Sequence, residues 1–191
     1  MVQSFFIDSK IIFSEILTLV AHTFSLELNT RVKGQHTSQI VTLASSEDSL
    51  VSIDENGLLQ SWNFTTSEPC PTYTLETNRV VTCAAVYKTY VVLGTMLGRI
   101  LIVKDSKIAT EIYAHRGQVA SISIRREAEV EPSVVCSVGE DGTYLTFTSS
   151  GIKFKHGIIE NAMFTGVTWT ANNTIGLAAY GRDYIVTEAI G

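Results

Sequence analysis

The chain has 191 residues, of which 45% are hydrophobic and 17% charged, with a formal net charge of -5 at pH 7. This length suits one ordinary domain with a buried core, and the composition excludes intrinsic disorder. The negative charge argues against nucleic-acid binding by the whole surface, which needs an excess of lysine and arginine. Three separated cysteines, Cys70, Cys83 and Cys136, form no CxxC pair and indicate a reducing compartment rather than a disulfide framework.

The N-terminal stretch KIIFSEILTLVAHTF, residues 10–24, is ambiguous. Its apolar spacing fits either a helix or two tightly joined strands. Glu15 interrupts the apolar run, no basic region precedes it, and the run is too short to cross a membrane. The sequence therefore predicts neither a signal peptide nor membrane insertion.

The rest of the chain consists of short apolar runs separated by turn residues. The runs have the usual strand length and are rich in valine, isoleucine, threonine and aromatic residues. They include VVTCAAVY (80–87), YVVLGTM (90–96), RILIVKD (99–105), QVASISI (118–124), VVCSVG (134–139) and TYLTFT (143–148). This pattern predicts an all-β sandwich, barrel or propeller.

A repeat is visible when residues 36–64 are aligned with residues 115–148. Each segment has a histidine, an apolar strand, a strand that carries a serine, a turn with Asn or Asp before Gly, and an aromatic residue five positions later. The paired positions are His36 and His115, Ser52 and Ser137, Asn56 and Asp141, Gly57 and Gly142, and Trp62 and Phe147. Two further copies keep the glycine, at Gly98 and Gly181, but have Val103 and Val186 at the aromatic position. The repeat length falls in the range of propeller blades.

These motifs resemble the WD-repeat β-propeller family, whose repeats form four-stranded antiparallel blades. The resemblance implies a hydrogen-bonded tetrad of His36, Ser52, Asn56 and Trp62 in one blade. In another blade it implies His115, Ser137 and Asp141, with Phe147 lacking the indole N–H. An asparagine in place of the usual aspartate weakens the bond to the histidine. Because the other copies lack a tetrad, we expect a degenerate propeller stabilised by apolar packing.

About five blades are expected, at residues 1–33, 34–77, 78–113, 114–159 and 160–191. The last of them ends after its third strand. Complete propellers of the family usually have more blades, so the resemblance implies a partial or divergent propeller, or one that another subunit closes. Residues 2–8, VQSFFID, are a candidate for the strand that completes the last blade.

Motifs for catalysis or cofactor binding are not evident in the sequence. His22 and His156 have no partner at metal-binding spacing. The turns before Gly57 and Gly142 lack the spacing of a calcium loop, and the glycines form no nucleotide-binding motif. Glu127, Glu129 and Glu131 predict a solvated hairpin loop, with an acidic docking site as the alternative. We expect no cofactor, no metal and no enzymatic activity.

A partner-binding rim is the remaining candidate site. By the geometry of the family, turns and inter-blade loops place eight residues there: Glu55, Met96, Arg99, Arg116, Gln118, Tyr180, Arg182 and Asp183. Arginine, methionine and tyrosine are enriched at interfaces, although an ordinary solvated rim has the same composition. Trp169 is expected in the core, where its indole N–H needs a partner.

The expected function is a protein-protein interaction scaffold within a larger cytoplasmic assembly. One alternative is an RNA-associated adaptor, which the net charge and the acidic residues after Arg125 and Arg126 disfavour. Another alternative is a subunit of a ciliary transport assembly, because WNFTTSE and SVGEDG resemble propeller segments of intraflagellar-transport subunits.

Overall fold

The computed structural model describes residues 4–7, 10–15, 18–23, 28–33, 35–46, 49–63, 70–125, 134–170 and 174–187. All regular structure in these ranges is β-strand, arranged in five antiparallel sheets. The strands are β1 Ser4–Ile7, β2 Lys10–Glu15, β3 Thr18–Thr23, β4 Leu28–Lys33, β5 Ile40–Ser45, β6 Ser49–Asp54, β7 Leu58–Asn63, β8 Cys70–Glu76, β9 Val81–Tyr87, β10 Tyr90–Thr95, β11 Arg99–Lys104, β12 Lys107–Tyr113, β13 Val119–Ile124, β14 Val134–Gly139, β15 Thr143–Thr148, β16 Lys153–Ile158, β17 Phe164–Trp169, β18 Thr174–Ala179 and β19 Arg182–Thr187.

Each sheet is a simple meander in which strands that follow one another in the chain lie side by side. The four-stranded sheets are β1–β4, β5–β8, β9–β12 and β13–β16, and the three strands β17–β19 form the fifth. Each sheet falls within one of the five segments that the sequence repeat outlines. The chain is therefore all-β, and its last four sheets correspond to the four copies of the sequence repeat.

The ambiguous N-terminal stretch forms two strands, β2 and β3, rather than a helix. Residues 4–7 pair antiparallel with residues 10–13 as the first strand of their own sheet. The described part of VQSFFID thus pairs within the first sheet. The sequence had suggested instead that it completes the sheet β17–β19, and that suggestion is wrong for residues 4–7. Glu127, Glu129 and Glu131 lie outside the described residues.

The chain divides into two compact units, residues 1–81 and 82–191. In the first unit, β2 lies against β5. In the second unit, β10 lies against β13, while β13 and β14 lie against β17. Sheets within a unit therefore pack face to face through their first two strands.

The sheets share irregularities at equivalent places. The register shifts near the start of the first strand in three sheets, at residues 40–42, 119–121 and 164–166. The tight turns after the second strands each end in a glycine with positive φ, namely Gly57, Gly98, Gly142 and Gly181. Glycine adopts this conformation without steric cost, so the turn geometry explains why the glycine recurs.

The cores are apolar and lie between the sheets. In the second unit one cluster includes Val92, Ile102 and Phe147, and another includes Cys136 and Phe164. All six residues of β14 are buried, which explains why VVCSVG does not alternate between polar and apolar residues. Among the described residues, no helix is long and apolar enough to span a membrane.

Candidate functional site

A buried hydrogen-bond network connects His36 to strands β6 and β7. The Nδ1 atom of His36 lies 3.1 Å from Oδ2 of Asp54, and its Nε2 atom lies 2.7 Å from the hydroxyl of Ser52. The indole Nε1–H of Trp62 donates to the same hydroxyl over 3.0 Å. These four residues, called here the first histidine network, are all buried.

The strand geometry brings these side chains to one face. Ser52 and Asp54 are two residues apart on β6, and alternate residues of a strand point to the same side. Ser52 pairs with Gln60 across the sheet, and Trp62 follows two residues later on β7. A carboxylate only accepts hydrogen bonds, so Nδ1 donates to Asp54, and in the neutral ring Nε2 accepts from Ser52.

At Asn56, the observed network differs from the tetrad that the family resemblance implied. Asn56 is exposed at the turn, and only its backbone N–H takes part, donating to Oδ1 of Asp54 over 3.0 Å. The N–H of Leu58 donates to the same oxygen over 3.0 Å. Asp54 therefore occupies the place assigned to Asn56, and its carboxylate joins the histidine to the turn. The two-residue spacing from Ser52 is the sequence signal that could have identified it.

A second histidine network surrounds His115, near the start of the loop between β12 and β13. Its Nε2 atom lies 2.9 Å from the hydroxyl of Ser137, as the repeat suggested. Its Nδ1 atom lies 2.6 Å from the hydroxyl of Thr143, which in turn donates to Oδ1 of Asp141 over 2.6 Å. Thr143, which the sequence analysis did not single out, thus relays the contact between His115 and Asp141, whose direct separation is 3.7 Å.

The two networks place the carboxylate at different positions of the repeat. Aligned by the turn glycines, Asp54 corresponds to Gly139, and Asn56 corresponds to Asp141. A Cβ atom on Gly139 would lie 2.5 Å from Oδ1 of Asp141 and 2.7 Å from Cγ of His115. The missing side chain at position 139 therefore leaves the space into which the turn aspartate reaches.

The environment of the second network shifts two pKa values. Burial lowers the pKa of His115 to about 4; Asp141 opposes this shift, and electrostatic interactions with His156 and Lys153 add to it. Burial alone would raise the pKa of Asp141, but hydrogen bonds from Thr143 and from the backbone N–H of Arg116 outweigh it and lower the pKa. At neutral pH the network therefore holds a neutral imidazole beside an ionised carboxylate.

Phe147 occupies the position of Trp62 in the second repeat and is fully buried. It supplies apolar packing but no donor to Ser137. Trp169 is half-buried against the core of the second unit, and its Nε1–H donates to the carbonyl oxygen of Ser123 over 3.2 Å. The indole N–H of Trp169, for which the sequence analysis expected a partner, therefore donates to a residue of a neighbouring sheet.

The turns and the inter-sheet loops of the second unit meet at one end of the sheets. The N–H of Glu140 donates to the carbonyl of Gln118, and the N–H of Tyr180 donates to the carbonyl of Met163. The N–H of His115 likewise donates to the carbonyl of Gly98. We call this end, formed by residues 96–98, 114–118, 140–142, 159–163 and 180–181, the turn edge.

The predicted rim residues are distributed unevenly with respect to the turn edge. Met96, Arg116 and Tyr180 are exposed on it, Gln118 is half-buried, and Arg182 and Asp183 are exposed at the start of the adjoining strand β19. Arg99 is instead held on the face of its sheet, 3.0 Å from Glu111 and 3.9 Å above the ring of Tyr113. Glu55 is exposed at a turn of the first unit. Two exposed large apolar side chains of the turn edge, Leu97 and Met163, were not singled out by the sequence analysis.

The described histidine, cysteine and carboxylate side chains form no group of three that would hold a metal ion. The thiol of Cys83 is largely buried, and burial raises its pKa to about 12. His22 lies on β3 and His156 is exposed on β16.

Comparisons with known proteins find solved structures with a similar fold but no matching family. No protein-family model matches the chain, and no curated protein matches it. The crystal structure of the computationally designed Ika8 protein matches with a TM-score of 0.77 and 18% identity, covering 98% of this chain and 58% of that chain. The designed Ika4 protein matches with a TM-score of 0.65 and 18% identity, covering 80% of this chain and 92% of that chain. At this identity the similarity concerns the fold alone.

Proposed function

We propose that the chain is a degenerate β-propeller of the WD-repeat type that serves as a non-catalytic interaction scaffold in a larger protein assembly. The observation that carries this proposal is the pair of histidine networks at equivalent places of two sheets. Each network ties the loop before a sheet to the tight turn within it. Such bonds hold loops in one conformation, and a preordered surface loses less entropy when a partner binds.

Exposed apolar side chains on the turn edge support a protein partner. Met96, Leu97, Met163 and Tyr180 are 51%, 75%, 46% and 82% exposed. They come from three different segments at the same end of the second unit. Methionine and tyrosine are enriched at protein interfaces.

The chemistry of the buried polar groups supports a structural role for them. Both ring nitrogens of His115 are engaged in hydrogen bonds, and its low pKa makes it a weak base. The thiol of Cys83, with a pKa of about 12, forms little of the thiolate that nucleophilic cysteines need.

The proposal includes a cytoplasmic location, with a ciliary transport assembly as the alternative setting. Cys83 and Cys136 are free thiols, as suits a reducing compartment. The segments WNFTTSE and SVGEDG provide the resemblance to subunits of ciliary transport.

Affinity purification of the tagged chain, with and without ribonuclease, tests the proposal. We expect a protein partner in stoichiometric amount that survives ribonuclease and moderate salt. A chain that purifies as a monomer without partners would contradict the scaffold function. Loss of every partner after ribonuclease would favour an RNA-associated adaptor instead.

A further inference from the structure

Two surface grooves lie at equivalent places, one beside each histidine network. The groove of the second unit has a volume of about 630 Å³ and is lined by Arg116, Lys153 and His156 among others. The groove of the first unit has a volume of about 530 Å³ and is lined by Thr37, Thr74 and Glu76 among others. Each groove extends from the loop that holds the histidine to the outermost strand of its sheet.

The strand pairing within each sheet shows which lining residues of the two grooves occupy equivalent positions. Arg116 and Thr37 each follow the network histidine directly. His156 pairs with Leu145, and Thr74 pairs with Gln60, three residues past the turn glycine in both sheets. Ile158 pairs with Thr143, and Glu76 pairs with Leu58, one residue past that glycine.

The charge of the two grooves is opposite despite this equivalence. The second-unit groove contains Arg116 and Lys153, with the exposed His156 beside them. Its carboxylate, Asp141, already accepts hydrogen bonds from Thr143 and from the backbone N–H of Arg116. The first-unit groove contains two carboxylates, Asp54 and Glu76, and no lysine or arginine.

The cation of Lys153 is positioned at the groove. Its Nζ atom donates to the carbonyl oxygen of Tyr113 over 3.0 Å, which holds the ammonium between β12 and β16. Among the residues that the structure describes, Lys153 and Arg116 form no salt bridge with a carboxylate. An ammonium with two remaining donors therefore faces the groove without an anionic partner.

Apolar surface borders these cations. Tyr113 is 70% exposed and Ile158 is 64% exposed, and both line the groove. Arg99 lies over the ring of Tyr113 at 3.9 Å, which restrains the orientation of that ring. A ligand that satisfies both features needs a negative group and an adjoining apolar group.

We propose that the second-unit groove binds an acidic peptide segment, in which an aspartate or glutamate meets Lys153 and Arg116 and a neighbouring apolar side chain covers Tyr113 and Ile158. This inference rests on the proposed scaffold function and names the chemistry of a partner. A carboxylate suits the groove because ionised partners form the stronger hydrogen bonds to lysine and arginine. A nucleic-acid backbone suits it less, since the net charge of -5 opposes a polyanion.

Selection from a phage-displayed library of random peptides, carried out on the whole 191-residue chain, tests the proposal. We expect enriched peptides to share an acidic residue beside a large apolar one. Their affinity should fall about tenfold or more for the double variant R116T/H156T, which installs the residues of the first-unit groove. Lys153→Gln should weaken the same peptides, as should replacement of the peptide's own acidic residue by its amide.

Glu76→Gln in the first-unit groove is the matched control and should leave peptide affinity within about twofold. Urea unfolding of each variant verifies that the fold is retained. The proposal is overturned if no peptide is enriched, if the enriched peptides lack acidic residues, or if they bind folded R116T/H156T and Lys153→Gln as well as the original chain. A stoichiometric partner in the affinity purification, combined with any of these results, would retain the scaffold function and reject the groove as its peptide site.

Discussion

Ser52 is the side chain that the first histidine network depends on most. Its hydroxyl satisfies both the Nε2 atom of His36 and the Nε1–H of Trp62, and all three residues are buried. Ser52→Ala leaves two buried polar atoms without partners, and we expect it to lower the free energy of unfolding by about 3 kcal/mol. Urea unfolding followed by tryptophan fluorescence measures the loss.

Ser137→Ala is the matched comparison in the second network. Because Phe147 has no donor, this change removes only the bond to His115, and we expect a loss of about 1.5 kcal/mol. Equal losses for the two variants would show that the bond from Trp62 contributes nothing to stability.

Gly139 makes room for the carboxylate of Asp141. Gly139→Ala places a Cβ atom 2.5 Å from Oδ1 of Asp141 and 2.7 Å from Cγ of His115. We expect a loss of about 2 kcal/mol or more, because both neighbours are held by hydrogen bonds. Gly166→Ala is the control, since its added Cβ would meet only the Cβ of Ala178, at 3.6 Å. Thermal unfolding in which both variants match the original chain would contradict this account of the second network.

The second network should make stability depend on pH. The pKa of His115 falls from its ordinary 6.5 to about 4 on folding, so between these values the unfolded chain binds the proton first. Stability should therefore decrease as the pH falls from 6.5 towards 4. The lowered pKa of Asp141 acts in the same direction below its ordinary 3.8.

Urea unfolding at pH 6.5 and 4.5 measures this dependence. We expect the original chain to lose roughly 2 kcal/mol more than His115→Gln, which cannot titrate. Parallel losses in the two proteins would assign the pH dependence to other groups.

The residues of the networks were only partly predictable. The spacing of His, Ser and Trp pointed to His36, Ser52 and Trp62, and His36 and Trp62 both form hydrogen bonds with the Ser52 hydroxyl. The fourth member was predicted at Asn56, which is wrong, because the family pattern places that member in the turn. Asp54 fills that role from the strand because its side chain points to the same face as Ser52. The relay through Thr143 depends on side-chain packing around Gly139, which spacing alone does not determine.

At the level of the strands, Trp169 connects two sheets of the second unit. Its Nε1–H donates to the carbonyl of Ser123 on β13, and its backbone N–H donates to the Ser123 hydroxyl over 3.3 Å. Trp169→Phe keeps most of the apolar contact and removes the indole donor, so we expect a loss of about 1 to 2 kcal/mol. Hydrogen exchange of β13 and β17 measures where protection falls, and unchanged protection in both strands would contradict this role.

The strands themselves were largely visible in the sequence, whereas their irregularities were not. Valine- and isoleucine-rich runs between turn residues predicted β9–β11 and β13–β15 closely. KIIFSEILTLVAHTF stayed ambiguous, because short apolar runs carry no decisive period. The recurring register shifts near residues 41, 120 and 165 depend on how each first strand packs on its neighbour.

At the level of the whole molecule, the repeat period predicted how the chain divides into sheets. Each meander is a local structure, so its boundaries follow from turn residues such as those around Gly57 and Gly142. The proposed partner surface was chosen by side-chain exposure, which appears only in the structure. Leu97, the most exposed apolar side chain of the turn at residues 96–98, gave no signal in the sequence.

Site-specific photo-crosslinking is the measurement that tests the scaffold proposal most directly. A photoreactive residue in place of Tyr180, on the turn edge, should crosslink in cells to one defined protein. The same residue in place of Ile108, which is 39% exposed on β12 at the end of its sheet away from residues 96–98, should crosslink weakly or not at all. Equal labelling from both positions, labelling of RNA, or no adduct from position 180 would contradict a scaffold that binds partners through its turn edge.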